Sequence, residues 1–183
     1  MLVRPLLILA AFLVLTACAS VRAPDVGPAF ETPYVLDAGD KLRVVVFGQD
    51  GLSNSYAVNG AGKISMPLIG SVDARGSTTS QLGTAIATRL RAGYVREPHV
   101  AVEVETHRPF FILGEVTTSG QYAYVNGMTV ETAVAIAGGF TPRAFKSHAT
   151  VGRIVEGQTV HATVPISYPL RPGDTVTIEE RWF

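Results

Sequence analysis

The chain has 183 residues, 47% of them hydrophobic and 16% charged, a balance that excludes an intrinsically disordered protein and allows one ordinary domain or two small ones. Its formal net charge is +0, so it lacks the basic excess typical of nucleic-acid-binding proteins, and we expect no nucleic-acid partner. Its single cysteine excludes an internal disulfide framework and a multi-cysteine zinc cluster.

Residues 1–17 have the features of an export signal. Arg4 supplies a positive start, and an unbroken run of ten apolar residues follows from Leu6 to Leu15. As a helix, this run would span roughly 15 Å, about half the thickness of a bilayer core. We therefore do not expect a permanent transmembrane span.

Two interpretations of the processing site remain open around Cys18. The Ala-Cys-Ala sequence fits an ordinary small-x-small cleavage site, whereas Leu-Thr-Ala-Cys resembles a bacterial lipobox, which is cut before the cysteine so that it carries acyl chains. We favour the lipobox because simple secretion would leave an unpaired thiol in an oxidising compartment. This predicts a lipoprotein signal peptide over residues 1–17, lipid attachment at Cys18 and a lipidated tether over residues 18–33. By resemblance to sorting in Gram-negative bacteria, Ala19 implies delivery to the outer membrane.

The first elements predicted beyond the tether are a turn and a strand. Residues 37–40, Asp-Ala-Gly-Asp, predict a turn in which Gly39 tolerates positive φ and Asp40 bonds to nearby backbone. Residues 42–47 are rich in β-branched side chains and predict a largely buried strand.

A hairpin is predicted next. Residues 59–62, Asn-Gly-Ala-Gly, have the composition of a hairpin connection between residues 56–58 and residues 63–66. Pro67 would end this pairing because it lacks an amide donor.

The order of these residues resembles the N-terminal domain of outer-membrane polysaccharide export proteins. The family pattern is Tyr-x-Leu-x-x-Gly-Asp-x-Leu-x-Val-x-Val-Phe-Gly, followed by Gly-x-Ile-x-x-Pro-Leu-Ile-Gly-x-Val, and it fits this chain over residues 34–48 and 62–72. The resemblance implies a small β-rich export domain over residues 34–107. The motif residues it assigns are Gly39, Asp40, Gly62, Pro67 and Gly70.

A helix and a strand complete this first half. Thr78 and Gln81 have the spacing of a capping box, an apolar stripe at helical spacing runs from Leu82 to Leu90, and Gly93 suits the stop. Residues 100–104 alternate valine with other residues, which predicts a strand with one buried face.

Glu103 and Glu105 share the polar face of that strand. Their carboxylates would lie roughly 6 to 7 Å apart, within the range used by glycosidases, so a sugar-cleaving site has to be considered. Alternating glutamates are nevertheless common on a solvated strand face, and no apolar pocket that would raise a carboxyl pKa is apparent. We assign no catalytic residue.

No cofactor or metal site is predicted either. The four histidines show no metal-ligand spacing, and His107, at a strand end, is expected to be solvated or hydrogen-bonded. Three tyrosines are candidates to stack on sugar but equally suit core or rim positions: Tyr56, Tyr122 and Tyr124.

The second half predicts another small α+β unit. Residues 110–116 and 119–124 suggest two strands joined by a turn, and Thr129 caps a short helix that Gly138 and Gly139 stop. Residues 151–162 then predict a hairpin around Glu156-Gly157. A turn over residues 170–174 and a final strand follow, with Asp174 as a turn former.

This half resembles the sugar-associated β-grasp module, of the SLBB type, that follows the export domain in the same family. The fold class is thus α+β, with an export domain followed by an SLBB-like β-grasp domain over residues 108–183. Family members usually have proline where this chain has Ser119, so the turn keeps its glycine and loses a fixed φ. The matching motif residues are Gly114, Gly120, Gly138, Gly139, Gly173 and Asp174.

The resemblance implies a lipoprotein on the periplasmic side of the outer membrane. It would assemble as a homo-oligomeric ring and form part of a conduit for capsular or extracellular polysaccharide, without enzymatic activity. Implied partners are the polysaccharide, the outer membrane through the lipid anchor, and an inner-membrane polysaccharide copolymerase. Larger relatives carry further β-grasp modules and a C-terminal membrane-crossing helix, so we expect a separate outer-membrane β-barrel or another export subunit to complete the pore. The alternative is a monomeric periplasmic lipoprotein that binds or senses carbohydrate.

Overall fold

The computed structural model describes residues 33–155 and 157–181. The predicted signal peptide, the lipid-attachment residue Cys18 and all but the last residue of the predicted tether lie outside the described residues. None of the helices in the described part of the chain is long and apolar enough to cross a membrane.

A short 3-10 helix covers Asp50–Leu52. The other elements are β1 (Lys41–Val46), β2 (Asn54–Ala57), β3 (Lys63–Met66), β4 (Gly70–Asp73), α1 (Thr79–Arg91), β5 (Val100–Thr106), β6 (Phe110–Gly114), β7 (Gly120–Tyr122), α2 (Val130–Ile136), β8 (His148–Val155), β9 (Gln158–Pro165) and β10 (Thr175–Ile178).

Strand β1 has one buried face and one exposed face. Leu42, Val44 and Val46 are at most 1% exposed, whereas Val45 is 38% and Phe47 is 80% exposed. The antiparallel sheet has the order β2-β1-β5, and α1 and the β3–β4 hairpin contribute the side chains that cover its inner face. The prediction of a largely buried strand is therefore wrong for the outer face, which is left to solvent.

The predicted hairpin between residues 56–58 and 63–66 is also wrong. Strand β2 pairs with β1, and β3 pairs with β4 in the register Lys63↔Asp73 to Met66↔Gly70. The Asn59 amide does donate to the Lys63 carbonyl at 2.9 Å, so the turn forms, but the strands then diverge because each finds another partner. Pro67 lies in the β3–β4 connection.

Helix α1 confirms its predicted start. The Thr78 amide donates to Gln81 Oε1 at 2.8 Å, and the Gln81 amide donates to Thr78 Oγ1 at 3.3 Å, which completes the capping box. Leu82 and Leu90 are fully buried in the first core.

The second half has the predicted β-grasp arrangement. Its five strands have the order β7-β6-β10-β8-β9, so its first and last strands, β6 and β10, lie side by side and run parallel. Helix α2, capped by Thr129 with a second capping box, packs into a second core built around Phe110, Ile112 and Val176. The β8–β9 hairpin confirms its prediction with Val155 opposite Gln158, although Glu156 lies outside the described residues. The α+β class is confirmed.

Each half has its own hydrophobic core, and the described residues group as one compact unit. The boundary between residues 107 and 108 stays a prediction.

Candidate functional site

Two similar turns, residues 37–40 and 171–174, each end in a buried aspartate. Asp40 is 0% and Asp174 is 1% exposed. In each turn the carboxylate accepts the amide three residues earlier, at 2.9 Å in the first turn and 2.7 Å in the second. Both predicted turn formers are thus confirmed. A carboxylate this deeply buried also needs a cation or several donors.

Arg108 supplies the cation for Asp40. Its amide donates to Asp40 Oδ1 at 2.9 Å, and its Nη1 donates to Asp40 Oδ2 at 3.3 Å and to the Tyr34 hydroxyl at 2.9 Å. The Tyr34 hydroxyl donates to Asp40 Oδ2 at 2.6 Å. Burial, followed by the hydrogen bond to Asp40 and its charge, raises the pKa of Tyr34 well above its usual value. Arg108 therefore connects the start of the second half to the first turn.

Gly39 and Gly173 approach the same arginine from the two turns. A Cβ at Gly39 would lie 3.3 Å from Arg108 Cβ, and a Cβ at Gly173 would lie 2.8 Å from Arg108 Nε. Both residues also have positive φ, +94° and +87°. The structure thus brings the motif residues Gly39, Asp40 and Gly173 together around Arg108, which we call the junction. Prediction from sequence missed Arg108, and it included Tyr34 in the export-family pattern without predicting its contact with Asp40. A buried carboxylate requires donors, but this signal does not say which residues supply them.

Asp174 has a separate partner, Arg153 of β8. Arg153 Nε donates to Asp174 Oδ1 at 2.9 Å and Nη2 to Oδ2 at 2.7 Å, and its guanidinium lies 5.6 Å from the centre of the Tyr168 ring. Burial disfavours the charged guanidinium, but the hydrogen bonds and charge of Asp174 outweigh it, so the pKa of Arg153 is raised. Both buried aspartates are fully engaged in ion pairs, which suits positioning of turns rather than proton transfer.

His107 is wedged between two aromatic rings at the junction. Its ring centre lies 4.7 Å from that of Tyr34 and 5.5 Å from that of Tyr124, with both pairs edge to face. Its Nδ1 is buried without a hydrogen-bond partner among the described atoms, but the ring also has a hydrogen bond with the Asn126 side chain, which agrees with the expectation of a hydrogen-bonded histidine. Burial lowers the pKa of His107, although the charge of Asp40 partly opposes this. The neutral imidazole is therefore favoured.

The other motif residues do not join the junction. A Cβ at Gly62 would lie 2.5 Å from Arg75 Cβ, and a Cβ at Gly138 would lie 3.0 Å from Thr117 Cβ. At Gly114 it would lie 2.1 Å from the Ile178 carbonyl oxygen, because Gly114 of β6 pairs with Ile178 of β10. The remaining four lie in turns or at a strand start: Pro67, Gly70, Gly120 and Gly139.

An open surface depression of about 990 Å³ extends around the edge strand β5, from the exposed side of α1 to the outer face of the first sheet. Gly83 and Ala87 line it from the helix, and Val45 and Phe47 line it from the outer face of β1 and the residue after it. Glu103 also lines this depression.

The two glutamates of β5 lie on an exposed face, as predicted. Lys41 Nζ contacts Glu105 Oε1 at 3.3 Å, and hydrogen bonds from Ser55 and Lys41 lower the pKa of Glu105. A glycosidase acid requires a raised pKa, so the geometry gives this hypothesis no support. Within residues 33–155 and 157–181, no three acidic, histidine or cysteine side chains gather as a metal site.

The three tyrosines that were candidates to stack on sugar each form structural contacts within the chain. Each hydroxyl donates to a backbone carbonyl, and each ring packs against a core. The bonds run from Tyr56 to Leu52 at 2.9 Å, from Tyr122 to Thr118 at 2.7 Å, and from Tyr124 to Leu170 at 3.1 Å.

The known proteins that this chain resembles are described as acting in polysaccharide production, export or transport. Residues 28–105 match the family described as polysaccharide biosynthesis/export protein. The exopolysaccharide production protein ExoF of Rhizobium meliloti (strain 1021) is 32% identical over 137 residues, which cover 68% of this chain and 32% of ExoF. The polysialic acid transport protein KpsD of Escherichia coli is 25% identical over 115 residues, which cover 62% of this chain and 21% of KpsD. The chain thus spans about a third and a fifth of the length of these two relatives.

Proposed function

Because the chain belongs to the polysaccharide biosynthesis/export protein family, which its residues 28–105 match, we propose that it acts in the export of a capsular or extracellular polysaccharide. The observation that carries the proposal is this match, which includes every residue of the first core. The names of ExoF and KpsD, a production and a transport protein, support the same role. The chain has no enzymatic part in this role.

The second core contributes a sugar-associated domain of the SLBB type. Its strand order and its parallel central pair support this assignment. The junction supports a common function of the two halves, because Arg108 binds Asp40 of the first and packs against Gly173 of the second. An ion pair with additional hydrogen bonds holds the two parts more firmly than a flexible linker would.

Assembly into a ring would provide the passage for the polymer. The described residues pack around two filled cores, so a conduit requires several copies arranged around an axis. Repeated head-to-tail contacts between identical subunits close into rings when the rotation allows it. An acyl-modified Cys18 would hold each copy at the periplasmic side of the outer membrane. An inner-membrane polysaccharide copolymerase and a pore-completing subunit are the protein partners of this arrangement.

The experiment that tests the proposal measures polysaccharide in a strain that lacks this protein. Strains complemented with the wild-type chain or with Cys18→Ser are the comparators, and polymer is quantified separately at the cell surface and in the periplasm. We expect surface polymer to be lost, wild type to restore it, and Cys18→Ser to restore it poorly while leaving the membrane fraction. Unchanged surface polymer, with sugar bound stoichiometrically by a monomer, would instead support a carbohydrate-binding lipoprotein.

A further inference from the structure

Strand β9, Gln158–Pro165, is an exposed edge of the second sheet. In the part of the chain that the structure describes, β9 pairs only with β8, in an unbroken register from His148↔Pro165 to Val155↔Gln158. Val164 is the one buried residue of the strand, and its other residues are exposed. Both faces of β9 are therefore open to solvent along most of its length.

The sequence of β9 lacks the features by which proteins protect an edge strand. It reads Gln-Thr-Val-His-Ala-Thr-Val-Pro, with no acidic residue, lysine or arginine, with its proline only at the last position, and with no bulge against β8. The other edge strands of the two larger sheets are protected. Strands β2 and β7 have four and three residues, and β5 carries Glu103 and Glu105 and has an irregular register against β1. A long, uncharged edge is suited to pairing with a further strand.

The register of the β8–β9 hairpin determines which backbone groups face outwards. Only two residues separate Val155 from Gln158, so these two residues form a hydrogen-bonded pair. Bonding to β8 then alternates along β9 and uses the amides and carbonyls of its even-numbered residues. The groups that point away from the sheet repeat about every 7 Å. They belong to three residues: Thr159, His161 and Thr163.

The groups along this edge match those of an extended peptide. A peptide strand carries an amide and a carbonyl at every second residue of one edge, with the same spacing of about 7 Å. A sugar that binds by stacking needs an exposed aromatic ring, and β9 has no phenylalanine, tyrosine or tryptophan. The His161 ring lies over β8, since a Cβ at Gly152 would be 3.1 Å from His161 Cε1. A peptide strand is therefore the ligand that fits.

The side chains of β9 define the chemistry of that peptide strand. Val160, which is 51% exposed, and Ala162 lie on one face, and Thr159, His161 and Thr163 lie on the other. Directly opposite residues of paired strands share a face and contact each other. A matching segment therefore alternates apolar residues with uncharged polar residues. A charged segment would find no acidic residue, lysine or arginine on β9 to pair with.

The other edges of the same chain do not supply such a segment. Strands β2 and β7 are too short to span β9, and β5 would place its glutamates against an uncharged strand. Two copies of β9 could pair around a two-fold axis, but that contact closes after two copies. A conduit ring requires contacts that continue from copy to copy, so this step rests on the proposed function. The source that remains is another protein.

We propose that β9 binds an extended segment of another protein, which adds to the five-stranded sheet as an antiparallel sixth strand. Antiparallel pairing is favoured because it is slightly more stable per residue than parallel pairing. The segment is uncharged and alternates apolar with polar side chains. Main-chain hydrogen bonds to Thr159, His161 and Thr163 provide affinity, and the apolar contact with Val160 fixes the register.

A pair of N-methylated peptides tests this mode of binding. The probe is a peptide of four threonines alternating with three valines, with blocked ends and with N-methyl groups on the valines. When its threonines lie opposite the three outward residues of β9, their free amides face β9, and the methylated edge faces away and prevents aggregation. The control peptide carries its three methyl groups on threonines instead. In fluorescence anisotropy, we expect the full chain, extracted in mild detergent, to bind the probe about tenfold or more tightly than the control.

Hydrogen exchange resolved to single residues shows whether the edge itself is used. In the free chain, the amides of Thr159, His161 and Thr163 should exchange rapidly, because they do not bond to β8. The probe should slow their exchange, and the control peptide should not.

Thr163→Pro removes one outward amide and should weaken probe binding about tenfold or more. Its melting temperature should change little, because proline is tolerated at an edge position whose amide faces solvent. Thr163→Ser retains the amide and should bind the probe like the wild type. If Thr163→Pro does not fold, the two peptides still provide the test with the wild-type chain.

The outcomes distinguish this contact from other occupants and from the proposed function. Equal binding of the two peptides, or no binding of either at millimolar concentration, would overturn the proposal. Protection of the three outward amides without peptide, increasing with protein concentration, would show pairing between copies and would also overturn it. The export role is decided separately by the polymer in the strain that lacks this protein, and its failure would leave the peptide result standing.

Discussion

Replacing Asp40 with asparagine tests whether the junction stabilises the fold. The substitution keeps the shape of the side chain and removes its charge, so it weakens both the ion pair with Arg108 and one set of the hydrogen bonds that the carboxylate accepts. In the wild type, Oδ2 accepts bonds from the Tyr34 hydroxyl, the Asp37 amide and Arg108 Nη1, and Oδ1 accepts the Arg108 amide. An asparagine can satisfy only one of these two groups of donors.

The expected cost follows from the better of the two asparagine orientations. With its oxygen in place of Oδ2, the Arg108 amide faces an NH2 group, and an unsatisfied buried donor costs about 1–3 kcal/mol. Loss of the charge-assisted bond to Arg108 adds about 1.5 kcal/mol. The side chain of Arg108 is 22% exposed, so water recovers part of this energy. We expect Asp40→Asn to lower the free energy of unfolding by about 3 kcal/mol.

Urea denaturation monitored by far-UV circular dichroism measures this change. In thermal melting, the melting temperature should fall by about 6–12 °C. Asp73→Asn is the matched control, because Asp73 forms an ion pair with Lys63 at 2.8 Å but is 68% exposed. It should leave the midpoint essentially unchanged. In a double-mutant cycle, Arg108→Met should cost much less in the Asp40→Asn background than alone. Equal midpoints for Asp40→Asn and Asp73→Asn would refute the reasoning.

Three further predictions concern His107, Gly114 and Thr78. Because burial lowers the pKa of His107, the unfolded chain binds more protons than the folded chain as the pH falls below about 6.5. The free energy of unfolding should therefore decrease as the pH is lowered from 7.5 to 5.5. His107→Phe should flatten this pH dependence in urea titrations. Gly114→Ala should lower the free energy of unfolding by about 3 kcal/mol or more, because its Cβ would meet the Ile178 carbonyl. Gly139 has a similar φ but open space around it, so Gly139→Ala should lower the free energy of unfolding by about 1–2 kcal/mol in the same assay. Thr78→Ala should cost about 1 kcal/mol through loss of the α1 cap, and Thr78→Ser should retain stability.

Each of these has an outcome that would contradict it. A pH dependence that persists in His107→Phe would place the titrating group elsewhere. Similar midpoints for the two glycine variants would mean that the backbone near β10 shifts easily. A Thr78→Ser variant as unstable as Thr78→Ala would assign the effect to packing rather than capping.

Local signals predicted the elements well, because they depend on neighbours in the chain. The capping box at Thr78, the helix cap at Thr129 and the hairpin around Glu156-Gly157 need only residues three or four apart. Such signals suffice to start and stop a helix or to reverse a strand.

Pairing and long-range contacts could not be predicted in the same way. The predicted partner of β3 is wrong because the turn at Asn59 is compatible with pairing of β3 either to residues 56–58 or to β4. The free energy of the whole sheet decides between these pairings. Asp40 and Arg108 are 68 positions apart, and the chain offers other cations for a buried carboxylate. Leu68, between β3 and β4, has a φ of +67°, and this conformation has no local signal either, since leucine rarely adopts it.

The position of Tyr34 determines where a pulling force on the N-terminal part of the chain would act on the fold. Its hydroxyl is bonded to Asp40 and Arg108, and its ring contacts His107, so the chain that precedes residue 34 joins the fold where the two cores meet. Tension on an N-terminal attachment would therefore act on the junction rather than peel one half away from the other. The contacts of Tyr34 with Asp40 and Arg108 would be the first in the fold to bear that tension.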